Sequence, residues 1–484
     1  VADILSRYPA YEATIGIEVH VQLNTKTKIF CSCSTSFAQT PNSTICQICT
    51  GQPGVLPVLN KEVVTNAIKL GLSTNCTIEP FSEFARKHYF YPDLPKNYQI
   101  TQAEHPICLE GHVSIRCEDG SFKNIRLIRI HMEEDAGKNL HDTASNESFV
   151  DLNRTGTPLL EIVSYPDISN SYEAREYLKM LRLIVLYLDI CSGNMEEGAF
   201  RADTNISVRK KGQKELGTKC ELKNINSFKF IADATDYEIE RQITVLEAGG
   251  RIRQETRLWD TKEQKTIIMR SKEEAADYRY FADPDLAKVV ITPEHIKDIE
   301  AQLPELPTKK FERLCAQYGL TPYEADILVQ DLSLARFYET AAQHTTSKQL
   351  INWILRDLMG YLKQTKYALT ECPIKPEHIA QLVDLLEQGV INNRGAQELF
   401  GLLPHTEKSP RELVKERGLE QMDNSQEMEQ LIIEIIKANP HQASAYKAGQ
   451  EKLFGFFVGQ AMQKTKGKGN PQTINELLKK HLLN

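Results

Sequence analysis

Ile15-Gly-Ile-Glu-Val-His-Val-Gln-Leu23 alternates without a break. In an extended strand, Ile15, Ile17, Val19, Val21 and Leu23 point one way, and Gly16, Glu18, His20 and Gln22 the other. The run predicts a half-buried strand whose polar face carries a carboxylate and an imidazole. On a lone strand that face is ordinarily just the solvent side. Three further segments argue for chemistry instead: His131-Met-Glu-Glu-Asp135, Leu159-Leu-Glu-Ile162 and Met195-Glu-Glu-Gly198.

Glu161 is the most informative of these residues. It interrupts the apolar run Pro158-Leu-Leu-Glu-Ile-Val163, so its neighbours are expected to be buried on both sides. A carboxylate there is costly unless it is paired, protonated or bound to a cation. A structural ion pair is the alternative. Oxygen-rich ligands with one imidazole suit Mg²⁺ or Mn²⁺, which in turn would hold nucleotide phosphates.

Working outward, apolar-alternating runs recur at 125–132, 159–163 and 206–208, with helical stretches at 171–188, where Ser171 is the expected cap, and 226–248. Proline-rich turns from Pro284 to Pro307 mark a hinge, and beyond it 349–363 and 427–438 have helical periodicity. A second break lies at 402–410. The fold class is therefore α+β: a β-rich N-terminal part at 1–292, a helical domain at 293–405 and a small helical tail at 406–484.

The 484 residues carry 25% charged and 41% hydrophobic side chains and a net charge of −7. No global basic field advertises a nucleic acid, so any RNA contact must come from local patches. No run approaches the ~18 apolar residues of a membrane span, and no apolar signal core opens the chain. Eleven cysteines without such a signal point to a reducing compartment. A cytoplasmic, bacterial setting is expected, with an organelle left open.

Cys31-Ser-Cys33 and Cys46-Gln-Ile-Cys49 suit a tetrahedral Zn²⁺ thiolate site. Four thiolates would close the shell and make its job structural. Simple burial of the thiols is the alternative. Arg86, Lys87 and Lys96 alternate with Tyr89, Phe90, Tyr91 and Tyr98, a mixture that can steady phosphates and stack on bases or merely fill a loop. Lys464, Lys466 and Lys468, in Gln463-Lys-Thr-Lys-Gly-Lys-Gly-Asn-Pro471, either grip phosphates or belong to a solvated loop. No Walker A, G-x-G-x-x-G or G-x-S-x-G motif occurs.

These segments resemble the B-subunit family of the tRNA-dependent amidotransferases. The likeness runs through 15–23, Pro53-Gly-Val-Leu-Pro57, Arg86–Ile100, His131-Met-Glu-Glu-Asp-Ala-Gly137, Asp151–Ser164, Glu196–Arg209 and Phe456–Pro471. It implies a cradle-shaped N-terminal domain similar to the glutamine synthetase catalytic fold, and a tail that contacts tRNA. It implies ATP and Mg²⁺ (or Mn²⁺) as cofactors, and an amidase A subunit and a small C subunit as partners. The implied substrate is misacylated Glu-tRNA(Gln) or Asp-tRNA(Asn), whose side-chain carboxylate is phosphorylated and then amidated by channelled ammonia.

Residue by residue, His20, Glu133 and Glu161 match the family's metal positions, with Glu18 and Glu134 as neighbours. Lys87, Tyr89 and Lys96 match the segment lining the reaction site and the ammonia route. Arg201 and Asp203 are candidates for substrate or nucleotide contact. Cys31, Cys33, Cys46 and Cys49 match a zinc site found in some members. His88 stands where Asn is commoner and Thr155 where Gln is commoner. The length leaves little room for the inserted domain of the archaeal E-type relatives.

Overall fold

The computed structural model describes residues 4–37, 40–142, 147–271, 277–421, 425–465 and 469–483. It falls into two compact units, Val1–Lys310 and Phe311–Asn484. The first is mixed α and β and the second is helical.

The alternating segment forms β1 (Tyr11–Gln22), longer at its start than its strict apolar alternation required. Ile15, Ile17, Val19 and Val21 are at most 1% exposed, while Glu18, His20 and Gln22 stay partly open. It is central in a ten-stranded sheet with β2 (Phe122–Glu134), β3 (Pro158–Ser164), β4 (Phe200–Lys210), β5 (Cys220–Ile225), β6 (Glu255–Asp260) and β7 (Lys265–Ser271). The order is β7-β6-β5-β4-β1-β3-β2, continued by the short strands Cys108–Leu109 and Thr77–Ile78, with His112–Arg116 also paired to β2. Among the described strands of this sheet, β5 and β6 alone run parallel.

Helices α1 (Lys61–Ser73), α2 (Ser171–Tyr187) and α3 (Phe228–Glu247) share one core with the apolar side chains of β1, β2 and β3. Burying that continuous face is the main driving force for this unit. The expected cap of α2 needs correcting. Asn170, not Ser171, accepts from Glu173 N at 2.8 Å, and Ser171 is already helical. Asn and Ser serve equally well as caps, so composition cannot separate adjacent candidates.

Close approach decides one helical position. A Cβ on Gly71 of α1 would lie 2.5 Å from Cys108 Sγ and 2.6 Å from Ile78 Cδ1. Gly71→Ala should therefore destabilise the first unit by about 1–3 kcal/mol, outweighing alanine's better helix propensity. A urea midpoint equal to or above wild type would contradict this packing.

In the second unit, the expected 349–363 helix runs from Leu350 to Thr365 with a π-type segment at Trp353–Leu358. The tail helices Ser425–Ala438, Leu453–Lys464 and Pro471–Leu483 enclose their own core of Ile432, Ile435, Phe457, Ile474 and Leu478. Among the described residues, no helix is long and apolar enough to cross a membrane.

A carboxylate and imidazole row and a four-cysteine loop

Antiparallel register sets the site. His20 of β1 lies opposite Arg201 of β4 on one side and Glu161 of β3 on the other, and Glu161 lies opposite His131 of β2. Directly paired residues share a sheet face, so these four form a row across the side facing away from the helices. Glu18 and Asp203 pair in the next row, and Glu133 enters from β2 opposite Leu159.

The side chains converge. His20 Nε2 is 3.4 Å from Glu161 Oε2, 3.5 Å from Glu133 Oε1 and 3.7 Å from Glu18 Oε1. His131 Nε2 is 3.2 Å from Glu161 Oε2 and 3.6 Å from Glu133 Oε2. Glu161, flanked by fully buried Leu160 and Ile162, is itself 8% exposed. Most of these separations are long for hydrogen bonds. They approach the ~3 Å spacing of adjacent ligands held about 2.1 Å from an octahedral cation.

The electrostatics are consistent with a cation there. Burial would raise the Glu161 carboxyl, yet His131 and His20 hold it well below the usual range. Burial would lower His131, but Glu161 and Glu133 lift it to about 9. Glu18 is pushed up, by burial and by Glu161. A buried carboxylate held in its charged form by two neighbouring imidazoles can equally be neutralised by a divalent cation. One ligand atom each from His20, Glu133 and Glu161, or from Glu18, His20 and Asp203, come within 4.8 Å of one another.

Lys87 faces this cluster from strand Ala85–His88. Burial would lower its ammonium, but Glu133, Tyr280 and Glu161 hold it up. Its Nζ lies 4.9 Å from the centroid of Tyr278, and Tyr278 meets Tyr89 edge to face. Burial and the nearby Asp93, Glu133 and Asp135 raise the Tyr89 phenol. Arg201 pairs with Asp135 at 3.0 Å, while Asp203 pairs with Lys223.

Glu134 does not join the row. Successive residues of a strand face opposite sides, so Glu134 turns away from Glu133 and pairs with Lys96 while accepting from Ile100 N at 2.8 Å. Lys464 is exposed at the end of its helix, and Lys466 and Lys468 lie outside the described residues. Two residues of the site are not singled out by sequence pattern. His131 sits two positions before Glu133, and that spacing on a strand was the available signal. Asp135 collects Arg201, Arg154 at 3.5 Å and Gln22 at 3.3 Å; no local pattern announces such a hub.

The four cysteines are free thiols, with one Sγ from each within 4.8 Å of the others. Cys46 and Cys49 Sγ are 3.9 Å apart, against the ~3.8 Å that a tetrahedron with 2.3 Å Zn–S bonds requires. A hydrogen bond from Cys31, opposed by burial and aided by Cys46 N and Lys28, lowers Cys49 to about 4. Burial, and a hydrogen bond with Cys46, raise Cys33 to about 11. The donor set fits a thiolate-loving metal.

Residues 13–297 match the family described as the GatB/GatE catalytic domain, and residues 336–482 the GatB domain. A protein of Syntrophotalea carbinolica, named as the B subunit of an aspartyl/glutamyl-tRNA(Asn/Gln) amidotransferase, is 51% identical over 473 residues, 98% of each chain. Proteins of the same name are 51% identical in Carboxydothermus hydrogenoformans and 49% identical in Thermodesulfovibrio yellowstonii. Each is covered over 99% of its length by 98% of this chain.

Proposed function

Because the chain belongs to the B-subunit family of the aspartyl/glutamyl-tRNA(Asn/Gln) amidotransferases, we propose that it carries the phosphorylation and amidation centre. On this reading it acts on misacylated Glu-tRNA(Gln) or Asp-tRNA(Asn), with ATP, beside an amidase A subunit and a C subunit. The observation that supports it most is the row His20, Glu161, His131 with Glu133, on the side of the sheet facing away from the helices.

A carboxylate is a poor acyl donor. In the reaction proposed, its oxygen attacks the γ-phosphorus of ATP, ADP leaves, ammonia attacks the acyl carbon, and phosphate departs with the carboxylate oxygen. What Mg²⁺ or Mn²⁺ supplies when bound is neutralisation of charge on the phosphate oxygens. His20, Glu133 and Glu161 would hold it, with Glu18 at the margin. Lys87, kept cationic by Glu133 and Glu161, would balance charge on the transferring group. Asp135 pairs with Arg201, which lies opposite His20, and Arg201 would bind a substrate carboxylate or phosphate.

The same reading takes 1–292 as a catalytic cradle similar to that of glutamine synthetase, 293–405 as a helical domain and 406–484 as the tRNA-contacting tail. The four-cysteine loop would hold a structural Zn²⁺.

The test is a reconstituted complex whose A subunit has lost glutaminase activity, given misacylated tRNA, ATP and an ammonium salt. ATP-dependent amide formation on the tRNA is expected. Amidation that proceeds equally without ATP would refute the phosphorylation step.

A further inference from the structure

A cavity of about 270 Å³ joins the four-cysteine loop to the Lys96–Glu134 pair, its walls including Cys31, Cys49, Gly51, Lys96 and Glu134. The Cys46–Cys49 half is a tight turn: Thr50 N and Oγ1 donate to Cys46 O at 3.1 and 2.8 Å, and Gly51 N donates to Ile48 O at 3.1 Å. The turn ends at Gly51, with φ +69°. A Cβ there would overlap Lys96 Cγ and lie 3.2 Å from Lys96 Cα. The missing side chain is therefore the space through which the Lys96 stem reaches Glu134. Both members of that pair are nearly closed off, with side chains 7% and 2% exposed.

A second observation bears on how the loop is anchored. Lys28 is fully buried, and its Nζ contacts Thr44 O at 2.9 Å and Cys49 Sγ at 3.7 Å. No ion pair to a carboxylate is present for it among the described residues. Through these two contacts the buried Lys28 side chain ties the Cys46–Cys49 half of the loop to the body of the unit.

We propose that the four-cysteine loop is a metal-dependent seat for Lys96, with Gly51 as the positioning residue that transmits the loop's shape to the Lys96–Glu134 pair. Without metal the four sulfurs are no longer tied to one centre, the Cys46–Gly51 turn loosens, and Lys96 loses its wall. Only the consequence for turnover rests on the proposed function. The seat itself does not.

The experiment labels Lys96 in the full-length chain within its complex, using an amine-reactive reagent and peptide mass spectrometry. Zinc-loaded and zinc-stripped wild type are compared with zinc-loaded Gly51→Ala and Gly54→Ala. Gly54 is the strain-matched control, because its φ is +85° and a Cβ there meets nothing within 4 Å. Lys96 labelling should rise several-fold on stripping and in Gly51→Ala, and stay at the wild-type level in Gly54→Ala. In Gly51→Ala, kcat for ammonium-dependent amidation should fall on the order of 10- to 100-fold, with the KM for ATP unchanged.

Protection of Lys96 in the stripped protein would overturn the proposal, and this arm needs no substitution to fold. Equal labelling of the two alanine variants would also overturn it, by making backbone strain the cause. Labelling as expected with unchanged kcat would uphold the seat and remove Lys96 from the reaction.

Discussion

Glu161→Gln is expected to lower phosphate release and tRNA amidation together, on the order of 10²- to 10³-fold, while misacylated tRNA still binds. The substitution preserves shape and removes one negative charge from a position that is 8% exposed. It weakens the hold on a cation and leaves His20 and His131 facing an amide where each faced a carboxylate within 3.4 Å. Because the charge is lost where phosphoryl transfer is proposed, kcat should fall far more than the KM for tRNA rises. A rise in KM alone would assign Glu161 to substrate binding.

The largest effect on stability is expected from Glu238→Ala in α3. Glu238 is fully buried. Its carboxylate accepts from Arg241 Nη2 at 2.7 Å, Gln242 Nε2 at 2.9 Å and Thr266 Oγ1 at 3.2 Å, with Arg257 Nε at 3.5 Å. This network ties the helix to β6 and β7. Removing the acid leaves Arg241 and Arg257 to share Glu255, at 3.8 and 2.5 Å. The surplus positive charge then lies around Arg257, itself 7% exposed. Breaking a buried ionic network from one side costs about 3–5 kcal/mol, and the remaining Glu255 favours the lower end. A urea titration of a Trp353→Phe background, followed through Trp259 on β6, should show a correspondingly lower midpoint. An unchanged midpoint would mean that these charges reach water.

The central strand and its partners were legible for a physical reason. Strict alternation in 15–23 leaves one solution for which side is buried, and Glu161 within an apolar run announces a paired or bound carboxylate. Register was not legible. That His20 meets Glu161 and Arg201, and Glu161 meets His131, depends on pairing between segments far apart in the chain. Resemblance therefore grouped Glu134 with Glu133, although adjacent strand residues point to opposite faces, and passed over His131. Asp135 escaped notice because its partners Gln22, Arg154 and Arg201 come from three separate segments. The cysteine spacing did announce a cluster, but only the folded chain shows Gly51 against Lys96.

Isotope transfer tests the central claim most directly. Misacylated tRNA carrying ¹⁸O at both oxygens of the side-chain carboxylate would be supplied to the complex with ATP and ammonium, and the released phosphate analysed by mass. Phosphorylation of the carboxylate predicts one ¹⁸O atom in each phosphate formed with amide, and loss of that labelled phosphate in Glu161→Gln. Unlabelled phosphate accompanying normal amide formation would contradict an acyl phosphate and the role assigned to this row of residues.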